Sequence, residues 1–158
     1  KKSGGGVLLE LSHEIDNILW IFGKPNYLRS FIHKNKLFKK DIDEEVLVLF
    51  YYKNLILQLE MSFNSRFENR GLIIEGSKAS INADLIKNKI TINKFNKQKV
   101  LYKTNQDNTD MLFKQMNNFI KSVKKNYHKN NIKISLETVR LISLIRKSNL
   151  QNKKVIIK

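Results

Sequence analysis

The chain has 158 residues, 41% of them hydrophobic, enough for one domain with a real core. It has no cysteine and only three histidines (His13, His33, His128), none in H-x-x-x-H spacing, which excludes disulfides, thiolate metal sites and the common histidine metal motif. The formal charge is +16, and no apolar run reaches the length of a membrane span.

The first patterned stretch runs from the glycines at 4–6 to Pro25 and predicts one helix with both ends marked. Gly23 is placed to end it, and Pro25 stands where no helix continues. Leu8, Leu11, Ile15, Ile18, Leu19 and Phe22 make an apolar stripe at helical spacing. The other side carries Leu9, Glu10, His13, Asp16, Asn17 and Trp20, an unusual set for a face that only meets water. Residues 27–33 predict a strand and 34–43 a loop. Residues 46–52 are continuously apolar, as in a strand covered on both faces. A turn at Lys53-Asn54 leads to an alternating strand over 55–63, with Leu55, Leu57, Leu59, Met61 and Phe63 facing one way.

Short strands follow at 69–75, 79–84, 89–93 and 100–102, joined by turns. Leu112, Met116, Phe119, Ile120 and Val123 mark a second amphipathic helix after a polar break at 104–110. Ser135 is placed to cap a third, with Glu137 in its first turn and a stripe of Thr138, Leu141, Ile142 and Ile145. Residues 154–157 close as an edge strand. The pattern is α+β: an open, mostly antiparallel or mixed sheet with helices on one face, in one domain over residues 1–158.

His13 is the histidine with a suggestive setting. On a helix, Glu10 and Asp16 come within reach from three residues to either side. A carboxylate neighbour orients an imidazole and suits it to proton transfer near neutral pH. The plainer alternative is a surface histidine with ordinary helical ion pairs. The glycines at 4–6 lack the G-x-G-x-x-G spacing of a dinucleotide loop, and no strand precedes them. Arg66 and Arg70 are placed to clamp an anionic substrate, or are plain solvated charges. The basic charge favours an anionic substrate. It also invites a nucleic-acid reading, but the excess is diffuse lysine among asparagines and isoleucines, so a basic nucleic-acid-binding domain ranks third.

The stretch G-G-G-V-L-L-E-L-S-H-E-I-D, followed by L-W-I-F-G-K-P, resembles the opening of the second domain of Gfo/Idh/MocA oxidoreductases, the glucose–fructose oxidoreductase and inositol dehydrogenase family. Residues 73–81, Ser135-Leu136-Glu137 and 153–157 are similar to later family segments, so the likeness spans nearly the whole chain. It implies a substrate-binding and oligomerisation domain whose Rossmann half, holding NAD or NADP, lies outside this chain, with no cofactor bound here. It implies hydride transfer at a secondary alcohol or ketone of a sugar, nucleotide sugar or polyol. The family's acid/base histidine falls on His13 and its acidic residue on Glu10, with Asp16, Asn17, Arg66 and Arg70 as substrate contacts. Many members space these as D-x-x-x-H where this chain has Glu10-x-x-His13, and a count from the glycines puts Glu14 in the histidine slot. A homo-oligomer through the sheet face, no membrane partner and a cytoplasmic location complete the expectation. A non-catalytic interaction module of the same fold is the alternative.

Overall fold

A computed structural model describes residues 5–34, 42–95, 97–105, 108–125 and 132–157. The elements are α1 (Val7–Glu10), α2 (Ser12–Phe22), β1 (Tyr27–His33), β2 (Glu45–Tyr51), β3 (Ile56–Ser62), β4 (Gly71–Glu75), β5 (Ser80–Asp84), β6 (Lys89–Lys94), β7 (Lys97–Lys103), α3 (Asn108–Lys124), α4 (Ile132–Gln151) and β8 (Val155–Ile156). The fold is α+β. Its strands form two four-stranded antiparallel sheets, ordered β3-β2-β1-β8 and β4-β5-β6-β7. The chain groups into two units, Lys1–Ser65 with Asn130–Lys158, and Arg66–Lys129.

The first unit holds the core. Alternation sends Leu28, Val46, Val48, Phe50, Leu57 and Met61 to one face of its sheet, where they meet Val7, Leu8, Ile15, Ile18, Leu141, Ile142 and Ile145. Burial of each such side chain contributes about 1.5–3 kcal/mol. The expected single first helix is in fact two, broken at Leu11 (φ −102°, ψ 25°). The cause is packing: α1 rests on β2 and β3, while α2 rests on α4, and one straight axis cannot serve both. Gly23 does end α2, at φ 72° with its N–H on the Leu19 carbonyl. The strand expected to be covered on both faces is β2, and it alternates instead. Val46, Val48 and Phe50 are buried, while Leu47, Leu49 and Tyr51 are half-buried on the opposite face. Neighbouring side chains give that outer face partial cover, including a Tyr27–Tyr51 stack at 4.5 Å.

The short β8 pairs with β1 only at Tyr27 and Leu28, so the rest of that edge of β1 needs other partners. Helix α4 supplies them. The Ser30 N–H donates to Ser148 Oγ at 3.1 Å, and the Ile32 N–H to Asn149 Oδ1 at 2.8 Å. Ser30 Oγ donates to the Ile145 carbonyl at 2.6 Å, and Ser148 Oγ to the Lys153 carbonyl at 2.7 Å. Arg146 also pairs with Asp43 at 2.9 Å. These bonds set the position of α4 against the sheet. The helix begins at Ile132, so Ser135 lies inside it and Glu137 outside its first turn, contrary to the capping expected from sequence. The start was missed because the apolar stripe that signals the helix begins only at Thr138.

In the second unit, Leu72, Ile74, Ile81, Ala83, Ile90 and Ile92 share one sheet face. Asp84 Oδ1 closes the β5–β6 turn by accepting the N–H groups of Ile86 (3.1 Å) and Lys87 (2.9 Å). The expected stripe on α3 is present, but Leu112, Met116, Phe119, Ile120 and Val123 are all exposed. Thr91 is the one buried residue among those described in this unit.

Candidate active site

Helices α2 and α4 pack side by side within the first unit. Between them lies a cleft of about 320 Å³, near the lower end of the roughly 300–1,000 Å³ typical of small-molecule sites. Ser12, His13, Asp16, Ser135 and Thr138 form its polar lining, and Leu9, Val139 and Ile142 its apolar lining. A larger concavity of about 480 Å³ opens elsewhere in this unit, lined in part by Phe31, His33, Glu45, Leu47 and Glu60. The larger concavity also carries an imidazole and carboxylates, and the smaller cleft is taken as the candidate because it holds His13 and Asp16, which the sequence singled out, with hydroxyls from two helices.

The His13 side chain is 50% exposed, with Nε2 at 3.1 Å from Glu14 Oε1. The contact sets a carboxylate directly against the imidazole ring. Asn17 Nδ2 donates to the other oxygen of Glu14 at 3.4 Å, steadying the carboxylate. Spacing pointed to Glu10 and Asp16 as the partners of His13, and the structure gives that contact to Glu14. The break at Leu11 puts Glu10 on α1, exposed, and Asp16 turns to α4. There Thr138 Oγ1 donates to Asp16 Oδ1 at 3.0 Å.

The structure thus brings His13 and Asp16 together in one cleft and puts Asn17 behind Glu14, two contacts from the lining. Arg66 and Arg70 are exposed residues of the second unit and do not line it. His128 lies outside the described residues, and Trp20 is 78% exposed near the end of α2. Sequence reasoning did not foresee Ser12, Ser135 and Thr138 at this cleft, and it named Glu14 only as the residue in the family's histidine slot. A threonine inside the otherwise apolar stripe of α4 was the available signal for Thr138.

Gly6 serves packing. Gly6 has φ +102°, and a Cβ there would meet the Asp43 backbone nitrogen at 2.9 Å. The Val7 N–H is already bound to the Asp43 carbonyl at 2.8 Å. A dinucleotide phosphate does not fit where a backbone and the Asp43 carboxylate already sit.

Comparison with known proteins follows the same lines. No curated protein matches the sequence. Among solved structures, aldose–aldose oxidoreductase from Caulobacter crescentus, complexed with glycerol, superposes with a TM-score of 0.81 at 10% identity, covering 98% of this chain and 48% of that one. Levoglucosan dehydrogenase in its apo form gives 0.81 at 13% identity, covering 98% and 52%. An oxidoreductase from Agrobacterium radiobacter in complex with NAD+, L-tartaric acid and magnesium gives 0.73 at 11% identity, covering 92% and 47%. At such identities the likeness shows the fold, and the chain spans about half the length of the structures it matches. The profile of the oxidoreductase family, C-terminal alpha/beta domain, matches residues 1–155, and the chain therefore belongs to that family, the Gfo/Idh/MocA group.

Proposed function

We propose that this chain is the substrate-binding part of an NAD(P)-dependent oxidoreductase acting on a secondary alcohol or ketone of a sugar, nucleotide sugar or polyol. The observation that carries the reading is the half-exposed His13, paired with Glu14 and facing a cleft rather than sealed in the core. The His13 imidazole takes the substrate hydroxyl proton on oxidation and returns it on reduction. Glu14 fills the orienting role that the sequence assigned to Glu10, and Asn17 acts through Glu14. Asp16 contacts substrate hydroxyls from the same wall. Nicotinamide, which supplies hydride exchange at the substrate carbon, is assigned to a separate nucleotide-binding domain of the whole enzyme. That assignment is supported by the half-length coverage of the related oxidoreductases and by the closed packing at Gly6.

The whole enzyme works in this reading as a cytoplasmic homo-oligomer. The outer face of the first sheet, with exposed Phe31, Ile56 and Ile156, is the proposed contact between copies. No described helix is long and apolar enough to cross a membrane. The test is a coupled assay of the complete enzyme, reading NAD(P)H absorbance across a panel of aldoses, polyols and nucleotide sugars. Turnover with at least one of them supports the reading. No turnover across the panel with either nucleotide overturns it.

A further inference from the structure

The hydrogen bond between Thr138 and Asp16 joins residues 122 positions apart, and the proposed chemistry at His13 leaves it unexplained. Asp16 is half-buried and Thr138 is 7% exposed, and both line the cleft. Among the described residues, Thr138 is the hydrogen-bond partner of Asp16, and no lysine or arginine lines the cleft. A half-buried carboxylate with no lysine or arginine among the described residues of its cleft is unusual in a chain of net charge +16.

We infer that Thr138 is a positioning residue that fixes the Asp16 carboxylate for a substrate hydroxyl, which tunes the cleft to neutral polyhydroxylated ligands over sugar acids. The inference rests on the oxidoreductase reading and names the substrate class of that same site. The reasoning is chemical. A carboxylate carries two oxygens that accept only, and the threonine uses one of them. The other oxygen, Oδ2, can accept an O–H from a ligand, so the ligand must bring donors. Ser12 and Ser135 add hydroxyls that both donate and accept, as vicinal diols require. Leu9, Val139 and Ile142 match the C–H faces of a sugar ring.

A ligand carboxylate meets the opposite situation. Two unit negative charges some 5 Å apart at an effective dielectric of about 20–40 repel enough to weaken binding tenfold or more. The basic charge of the chain, which favoured an anionic substrate at the level of sequence, is not repeated on this wall. Thr138 matters because it comes from α4, which the Ser148 and Asn149 bonds fasten to the sheet edge. Threonine therefore transmits the register of a fixed helix to a carboxylate on its neighbour.

The test uses the 158-residue chain, with D-glucose and D-glucuronate as probes that share a ring and differ by one carboxylate. Nitrogen-15 NMR titration reads both the affinity and the place of binding, through the amides of Asp16 and Thr138. The expected result is that glucose shifts those amides and binds at least tenfold more tightly than glucuronate. Asp16→Asn should remove most of that preference. Thr138→Val should weaken glucose about tenfold, and Thr138→Ser, which keeps the hydroxyl, should restore it to within about threefold. Glucuronate binding as tightly as glucose, a Val variant that binds glucose like the parent, or no shift of cleft amides by either sugar would each overturn the inference. The two readings fail separately. An enzyme that turns over a member of the panel while glucuronate binds this chain as tightly as glucose keeps the oxidoreductase reading and loses this one, whereas a chain that selects glucose from an enzyme without redox activity does the reverse.

Discussion

Replacing Ser148 by alanine tests how α4 is held, and so whether the cleft has a rigid second wall. Ser148 is fully buried, and its hydroxyl serves two backbones, accepting from the Ser30 N–H at 3.1 Å and donating to the Lys153 carbonyl at 2.7 Å. Alanine keeps the helix and removes both bonds. The Ser30 N–H is then left without an acceptor in a residue 1% exposed, a loss of about 1–3 kcal/mol. Lys153 is exposed, so its carbonyl can turn to water, and that bond counts for about 1 kcal/mol. The sum is about 2–4 kcal/mol. For a chain of this size it lowers Tm by roughly 5–15 °C. Urea unfolding should show a lower midpoint with an unchanged slope, and hydrogen exchange at the Ser30 amide should quicken. Ser143→Ala is the control, since Ser143 is exposed and bonds only its own helix, at the Val139 carbonyl (3.3 Å). It should stay within about 0.5 kcal/mol of the parent. A Ser148→Ala protein equally close to the parent would refute the claim that this hydroxyl pins α4 to the sheet.

Two carboxylates compete for the partnership with His13. In the complete enzyme Glu14→Gln should lower kcat about tenfold or more, while Glu10→Gln should change kcat less than about threefold; the reverse pattern would return the role to Glu10. Gly6→Ala forces a side chain onto φ +102° and against the Asp43 backbone, so it should destabilise the chain by about 1–3 kcal/mol in thermal melts, and an unchanged Tm would contradict the close approach. The backbone N–H of Lys87, foremost, holds the Asp84 carboxyl below the usual carboxylate range. Its contribution to the β5–β6 turn is therefore present above the unfolded-state value and lost as pH falls through the folded one. The Lys87 amide should be protected at pH 7 and lose that protection on acidification below the usual carboxylate range. Equal protection at both pH values would remove the carboxylate from the turn.

The elements were largely legible because period and punctuation agreed. The 3.6-residue stripe from Leu8 to Phe22 and the alternation from Leu55 to Phe63 each report one buried face, and both faces are buried as read. The break at Leu11 was not legible, since no glycine or proline marks it and it arises from two supports in different directions. The full cover expected over β2 failed for a related reason. A hydrophobic run reports that both faces avoid water, not whether a helix or only neighbouring side chains provide the cover. His13 could be singled out by its residue type and its polar neighbours. Its contact with Glu14 depends on rotamers, and the Asp16–Thr138 bond depends on where a helix some 120 residues later is docked, which is tertiary information.

The central claim is that His13 faces a reacting centre and moves a proton there. The complete enzyme carrying His13→Asn, assayed by NADH or NADPH absorbance against its best substrate, tests it most directly. Loss of an acid/base group should lower kcat by about 10²–10⁴-fold with little change in KM, and should remove the corresponding limb of the pH profile. A variant that keeps kcat within about threefold of the parent, with its pH profile intact, would contradict the account.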